Sequence, residues 1–136
     1  MTGDATTDAL IAGFEARTLE KANWTHAAHV TTALAYVRAL GRDEALRRIR
    51  TNIRAYNAAV GGPANAYHET ITRAWITVVA RFLAAREPDM PFGAMLEALL
   101  ARCGNKDYLL MHYSRELLFS NLARAEWVPP DLVPLE

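Results

Sequence analysis

The stretch His26-Ala27-Ala28-His29-Val30-Thr31-Thr32-Ala33-Leu34-Ala35-Tyr36-Val37 runs twelve residues without a charged side chain. Alanine and leucine favour helix, and nothing in it alternates apolar and polar with a period of two. Arg38-Ala39-Leu40 continues it and Gly41 follows, a residue suited to the position just past a helix end. A helix with no charged face belongs at the centre of its domain. The expectation is therefore a central helix over residues 25–40 of an all-α protein.

The flanking segments extend the same pattern. Leu10, Ile11 and Phe14 make one apolar stripe of a helix over residues 7–19. Leu46, Ile49, Ile53 and Tyr56 do the same for a helix opened by Asp43 and reaching residue 60, after which Gly61-Gly62-Pro63 breaks the chain. The longest helix is expected over residues 65–86, with Ile71, Trp75, Val78, Val79 and Phe82 on a wide apolar face. A fifth follows over 92–102, ended by Gly104; Asp107 is placed to cap a short segment through Tyr113, and Ser114 or Ser120 to start the last turns. The prolines of Val128-Pro129-Pro130-Asp131-Leu132-Val133-Pro134 exclude helix, so this tail reads as an extended strap. Short connections imply antiparallel neighbours. The fold expected is a compact single-domain helical bundle of five to six helices over residues 1–136, with 1–6 flexible and 128–136 extended.

Composition narrows the function. Hydrophobic residues make up 51% and charged residues 22%, a globular balance. Fifteen Lys+Arg against fifteen Asp+Glu give a formal net charge of zero, which disfavours a nucleic-acid binder and a polybasic membrane-surface protein. Arginines crowd the third helix at Arg42, Arg47, Arg48, Arg50 and Arg54. They read as a solvated face balanced by Asp43 and Glu44, or as a face for an anionic substrate or partner. The one cysteine, Cys103, cannot pair internally and reads as an inert core thiol. With no signal-peptide layout at the start and no apolar run long enough for a bilayer, a soluble cytoplasmic protein is expected.

Three clusters hold all four histidines. In Trp24-Thr25-His26-Ala27-Ala28-His29, three residues advance a helix by about 300°, so His26 and His29 share a face on successive turns. That spacing suits two imidazoles on one metal ion, and the positive helix terminus favours the neutral ring a metal needs. The alternative is a pair of histidines hydrogen-bonded to carbonyls or hydroxyls. In Tyr67-His68-Glu69-Thr70, His68 and Glu69 diverge by about 100°, so one would bind while the other orients or takes a proton. Thr72 stands where a zincin needs its second histidine. A helical ion pair between Glu69 and Arg73 is an equally good account of the glutamate. In the third cluster, His112 follows Tyr108 by one turn, as a further site residue or a surface histidine beside a capping serine.

If the second and fourth helices run parallel, His26, His29 and His68 meet at one mouth of the bundle. Three such ligands with an open position suit zinc, and also iron, manganese or nickel. The expected site is His26, His29 and His68 on a divalent metal, Glu69 as base or orienting group, and Trp24, Tyr67, Thr70 and His112 around a small-molecule substrate. The corresponding function is a small metal-dependent enzyme. The alternative is a non-catalytic module in which the same groups, metal-free, bind a small molecule or a protein, including a second copy in a homo-oligomer.

Trp24 to His29, Tyr67 to Thr70, Tyr113-Ser114, Ala123-Arg124 and Pro130 to Leu132 together resemble the pattern of an uncharacterised family of small bacterial helical proteins. The resemblance spans about residues 14–135 and implies no activity. A weaker resemblance, at the level of the fold, is to the DinB/YfiT-like bundles, which bind a metal through three histidines from different helices. Those proteins are longer and lack this motif pair.

Overall fold

The computed structural model describes residues 2–135. Among them there is no strand, and the chain forms an all-α bundle. The helices are α1 (Ala5–Glu15), α2 (His26–Leu40), α3 (Arg42–Ala59), α4 (Glu69–Ala84), α5 (Phe92–Cys103) and two short ones, α6 (Arg115–Leu118) and α7 (Asn121–Ala125). Single 3₁₀ turns lie at Lys21–Asn23 and Tyr108–Met111.

The uncharged helix is the centre. Every residue from Val30 to Val37 is buried, and α2 packs on α1, α3, α4 and α5. Its polar side chains tolerate this because each has a partner. Thr31 and Thr32 donate to the carbonyls of Ala27 and Ala28 at 2.7 and 2.8 Å. The Tyr36 hydroxyl donates to Glu15 and accepts from Asn52 at 2.9 Å, tying α1 and α3 to α2. Thr25 supplies the N-cap, its hydroxyl accepting from Ala28 N–H at 3.1 Å.

Gly41 alone separates α2 from α3, at φ 82°, where an L side chain is strained. The chain reverses there, so α3 runs antiparallel to α2. Its apolar stripe of Ala45, Ile49, Ile53 and Tyr56 faces inward. Outside, Arg47 and Arg48 meet Glu44 at 3.0 and 3.3 Å as exposed ion pairs. Arg42 and Arg50 instead reach α4: Arg42 donates to the Thr77 hydroxyl at 3.1 Å, and Arg50 pairs with Glu69. The start of α3 therefore lies beside the later part of α4, and α4 runs parallel to α2 with both beginning at one end.

Three local expectations change. The fourth helix starts at Glu69 rather than residue 65, because Gly61 at φ 77° and Pro63 hold the approach in turns and His68 is the cap. At 18 residues α3 is then the longest helix. The start of the chain, expected flexible, is a cap network where described: Asp4 accepts from Thr6 N–H and the Thr7 hydroxyl, and Thr2 donates to Asp8. Met1 lies outside the described residues. Asp107 makes no cap bond; Asn105 turns the chain there by accepting from its N–H at 2.8 Å.

Ser114 and Ser120 cap α6 and α7 as expected, each accepting an amide at 3.1 Å. The proline-rich tail is a strap. Val128 is buried, with its carbonyl accepting from the Tyr113 hydroxyl at 2.7 Å and its N–H donating to Thr70 at 3.1 Å. Further out, Asp131 accepts from the Ser114 N–H and hydroxyl at 2.8 and 2.7 Å. One buried cluster runs through all of this, with Phe14, Leu34, Val79, Leu99 and Tyr113 wholly enclosed.

Candidate functional site

Parallel α2 and α4 bring His26, His29 and His68 to the same end of the bundle. They do not converge on one point. Among the described residues, no three His, Cys, Asp or Glu side chains are grouped to hold a metal ion.

His68 is the decisive case. Its Nδ1 accepts from Ile71 N–H at 3.1 Å as the N-cap of α4, and its Nε2 donates to the Leu118 carbonyl at 2.7 Å. That fixes the tautomer and leaves no lone pair, so the expected role of His68 as a ligand is corrected to that of a cap and tether. Burial holds its pKa below the usual histidine value, against the pull of the Leu118 carbonyl; the nearby Arg124 charge lowers it further.

Glu69 is also reassigned. Its carboxylate takes both arms of Arg50, at 2.9 Å from Nε and 2.6 Å from Nη2, and accepts the Tyr67 hydroxyl at 2.7 Å. Burial would raise its pKa, but the Arg50 and Tyr67 hydrogen bonds and the Arg50 and Arg54 charges outweigh that and hold it below the usual range. A carboxylate this well paired is a strut between α3 and α4 and a poor proton acceptor. It forms no ion pair with Arg73, whose guanidinium lies 4.8 Å over the Trp127 ring. Thr70 and His112 serve the strap: Thr70 donates to the Glu126 carbonyl at 2.8 Å, and His112 Nδ1 pairs with the Val133 carbonyl at 2.9 Å.

What remains at the mouth is an aromatic cluster that includes two imidazoles. Trp24 stacks on Phe14 at 4.3 Å, and the His29 ring lies 3.9 Å from Trp24. His29 Nδ1 is held by the Thr25 carbonyl at 2.7 Å, so Nε2 is the ring atom left to meet a ligand. The His26 ring stands edge-on to Trp75 at 5.1 Å. Two atoms here are orphans: His26 Nε2 and Trp24 Nε1 are buried without a hydrogen-bond partner. Burial keeps both histidines below the usual pKa. The Cys103 carbonyl and the Asp107 charge oppose this at His26, the Thr25 carbonyl at His29. The rings are therefore neutral near pH 7.

These residues border two adjoining hollows of about 360 Å³ each. One lies between His26, His29, Trp75 and Leu110; the other has Trp24, Tyr67, His68 and Arg124 in its wall. His29, Ile71 and Phe119 belong to both, so the hollows lie side by side along these three residues and are taken together as the cleft. Phe119 is 52% exposed although aromatic, and sits on the rim.

Trp24, His26, His29 and Tyr67 thus line the cleft with His68, whose nitrogens are spent, while Glu69, Thr70 and His112 do not. Sequence reasoning missed Trp75 and Phe119 as cleft residues, and Arg50 as the partner of Glu69. Arg50 carried a local signal: it sits between Ile49 and Ile53, at the edge of the apolar stripe. Phe119 had none, since α6 and α7 bring it there from far along the chain. Comparison with protein-family models, curated proteins and solved structures gives no match.

Proposed function

We propose that this chain is a binding protein for a small organic molecule, held without a metal in the cleft at the starts of α2 and α4. The observation that carries this is the pair of side chains with orphaned buried atoms, Trp24 and His26, which flank His29 in the wall of a mainly apolar cleft. Buried polar groups normally find partners, and each exception calls for one. An indole and two imidazoles in mainly apolar walls are the makings of a ligand site, in which a few polar groups orient a molecule held by burial.

The test is a ligand-observed NMR screen of aromatic and aliphatic fragments against the wild type and His26→Leu. Fragments that bind the wild type and are lost or weakened in the variant support the proposal. Equal binding to both would defeat it.

One observation favours a metal-dependent enzyme as a second reading. His29 Nδ1 is anchored to a backbone carbonyl, as in histidines that bind metal through Nε2, and His26 lies one turn away with Nε2 unpaired. Metal analysis of tag-free protein decides between the two. Stoichiometric metal lost in both His26→Ala and His29→Ala would favour the enzyme.

A further inference from the structure

A further hollow adjoins the cleft at Tyr67. Asn57, Tyr67 and Arg124 also border this third hollow of about 550 Å³, reached from α3, the Gly62–Asn65 turn and the start of α7. Its wall holds two arginines, Arg54 and Arg124, three asparagines and no acid. The Arg54 guanidinium lies over the Tyr67 ring, 4.7 Å from its centroid. Arg124 is fixed from behind, one nitrogen donating to the Asn65 carbonyl at 2.9 Å. Neither has a carboxylate within ion-pair distance among the described residues. The nearest acid of this corner, Glu69, is already neutralised by Arg50.

A positively charged pocket adjoining a mainly apolar cleft has a definite complement. We infer that the ligand is an amphipathic anion: a carboxylate or phosphate held between Arg54 and Arg124, with an aliphatic or aromatic body lying across His29, Ile71 and Phe119. The asparagines serve the head group as hydrogen-bond partners. Arg54 is braced by a ring and Arg124 by a carbonyl, so each guanidinium is held in place before an anion arrives. Beyond Tyr67 the walls are mainly apolar, with Ile71, Trp75, Leu110 and Phe119, and suit an uncharged body. This assignment deepens the small-molecule reading of the same cleft and depends on it.

The experiment is calorimetric titration of the full chain with octanoate, octyl phosphate, 1-octanol, octylamine and inorganic phosphate, below micelle-forming concentrations. Octanoate or octyl phosphate is expected to bind tightest, with 1-octanol weaker by roughly tenfold or more, as loss of a charge-assisted contact implies. Arg54→Gln, at an exposed position and checked by its urea midpoint, should remove that preference while sparing 1-octanol. Phe119→Ser should weaken all the eight-carbon ligands. The ratio of octanoate to octyl phosphate affinity separates a carboxylate from a phosphate head group. Binding of 1-octanol or octylamine as tight as that of the anions, or an anion preference untouched by Arg54→Gln, would overturn the assignment. If in that case Phe119→Ser still weakened binding, the cleft would remain a binding site; if no probe bound in a Phe119-sensitive way, both readings would fall.

Discussion

His68 and Leu118 are fifty residues apart in sequence and joined by one hydrogen bond of 2.7 Å, from the imidazole Nε2 to the carbonyl. Because Nδ1 of the same ring caps α4, this imidazole links the start of that helix to the end of α6. His68→Ala should cost about 2–4 kcal/mol, combining a lost cap with a buried carbonyl left unpaired. His68→Asn, which can still cap, should recover part of it. Urea unfolding of the two variants measures the difference.

Stability should fall on mild acidification. His26, His29 and His68 all have folded pKa values below the ordinary 6.5. Above about pH 7 they are neutral in both states and contribute no slope. As pH falls through 6.5 the unfolded chain takes up protons that the folded chain refuses, so the folded state loses ground until the depressed pKa values are reached. Urea midpoints between pH 8 and pH 5 should show this, with a shallower slope in His68→Ala.

The Arg50–Glu69–Tyr67 group makes a separate prediction. Glu69→Gln should destabilise the protein by about 1–3 kcal/mol, since it leaves Arg50 facing a neutral amide. Glu69 has a depressed folded pKa, so its contribution is present above the unfolded value near 4.5 and is lost as pH falls below it. Anion affinity at the cleft should not fall, because the carboxylate is engaged by Arg50 of α3 and its removal only makes this corner more positive. A large loss of affinity without loss of stability would instead give Glu69 a direct role.

Thr70→Val removes one hydroxyl and two backbone bonds, to the Glu126 carbonyl and the Val128 N–H. The shape is nearly kept, so the cost of about 2–3 kcal/mol comes from unpaired buried backbone groups. Hydrogen exchange at Val128 should rise more than exchange within α2, showing that the strap opens ahead of the bundle.

Cys103 is 1% exposed, and burial pushes its thiol pKa up. In native protein at pH 8 it should react with a disulfide reagent only as fast as the chain opens, and rapidly once unfolded in urea. Fast labelling of the native protein would mean that the end of α5 is loose.

How much of this was legible beforehand differs between fold and site. The central place of α2 follows from His26 to Val37 alone, because a helix with no charge must be covered on all sides. The caps at Thr25, Ser114 and Ser120 follow from hydroxyls reaching amides three residues on, and the strap from prolines that cannot donate. The pairing of His26 with His29 on one face was also visible, since helical period is a local property.

The roles of the remaining polar residues were not local. His68 has the same neighbours in sequence whether it binds a metal or tethers Leu118, and Glu69 has the same neighbours whether it takes a proton or holds Arg50. Which occurs depends on what α3 and α6 bring within hydrogen-bonding distance, and directional bonds form only to atoms that tertiary packing delivers. The sequence by itself therefore determined an all-α bundle around one uncharged helix. Only the tertiary structure decided that His68 and His112 become tethers while His26 and His29 border a cleft, and that arginines of α3 and α7 lie beside it.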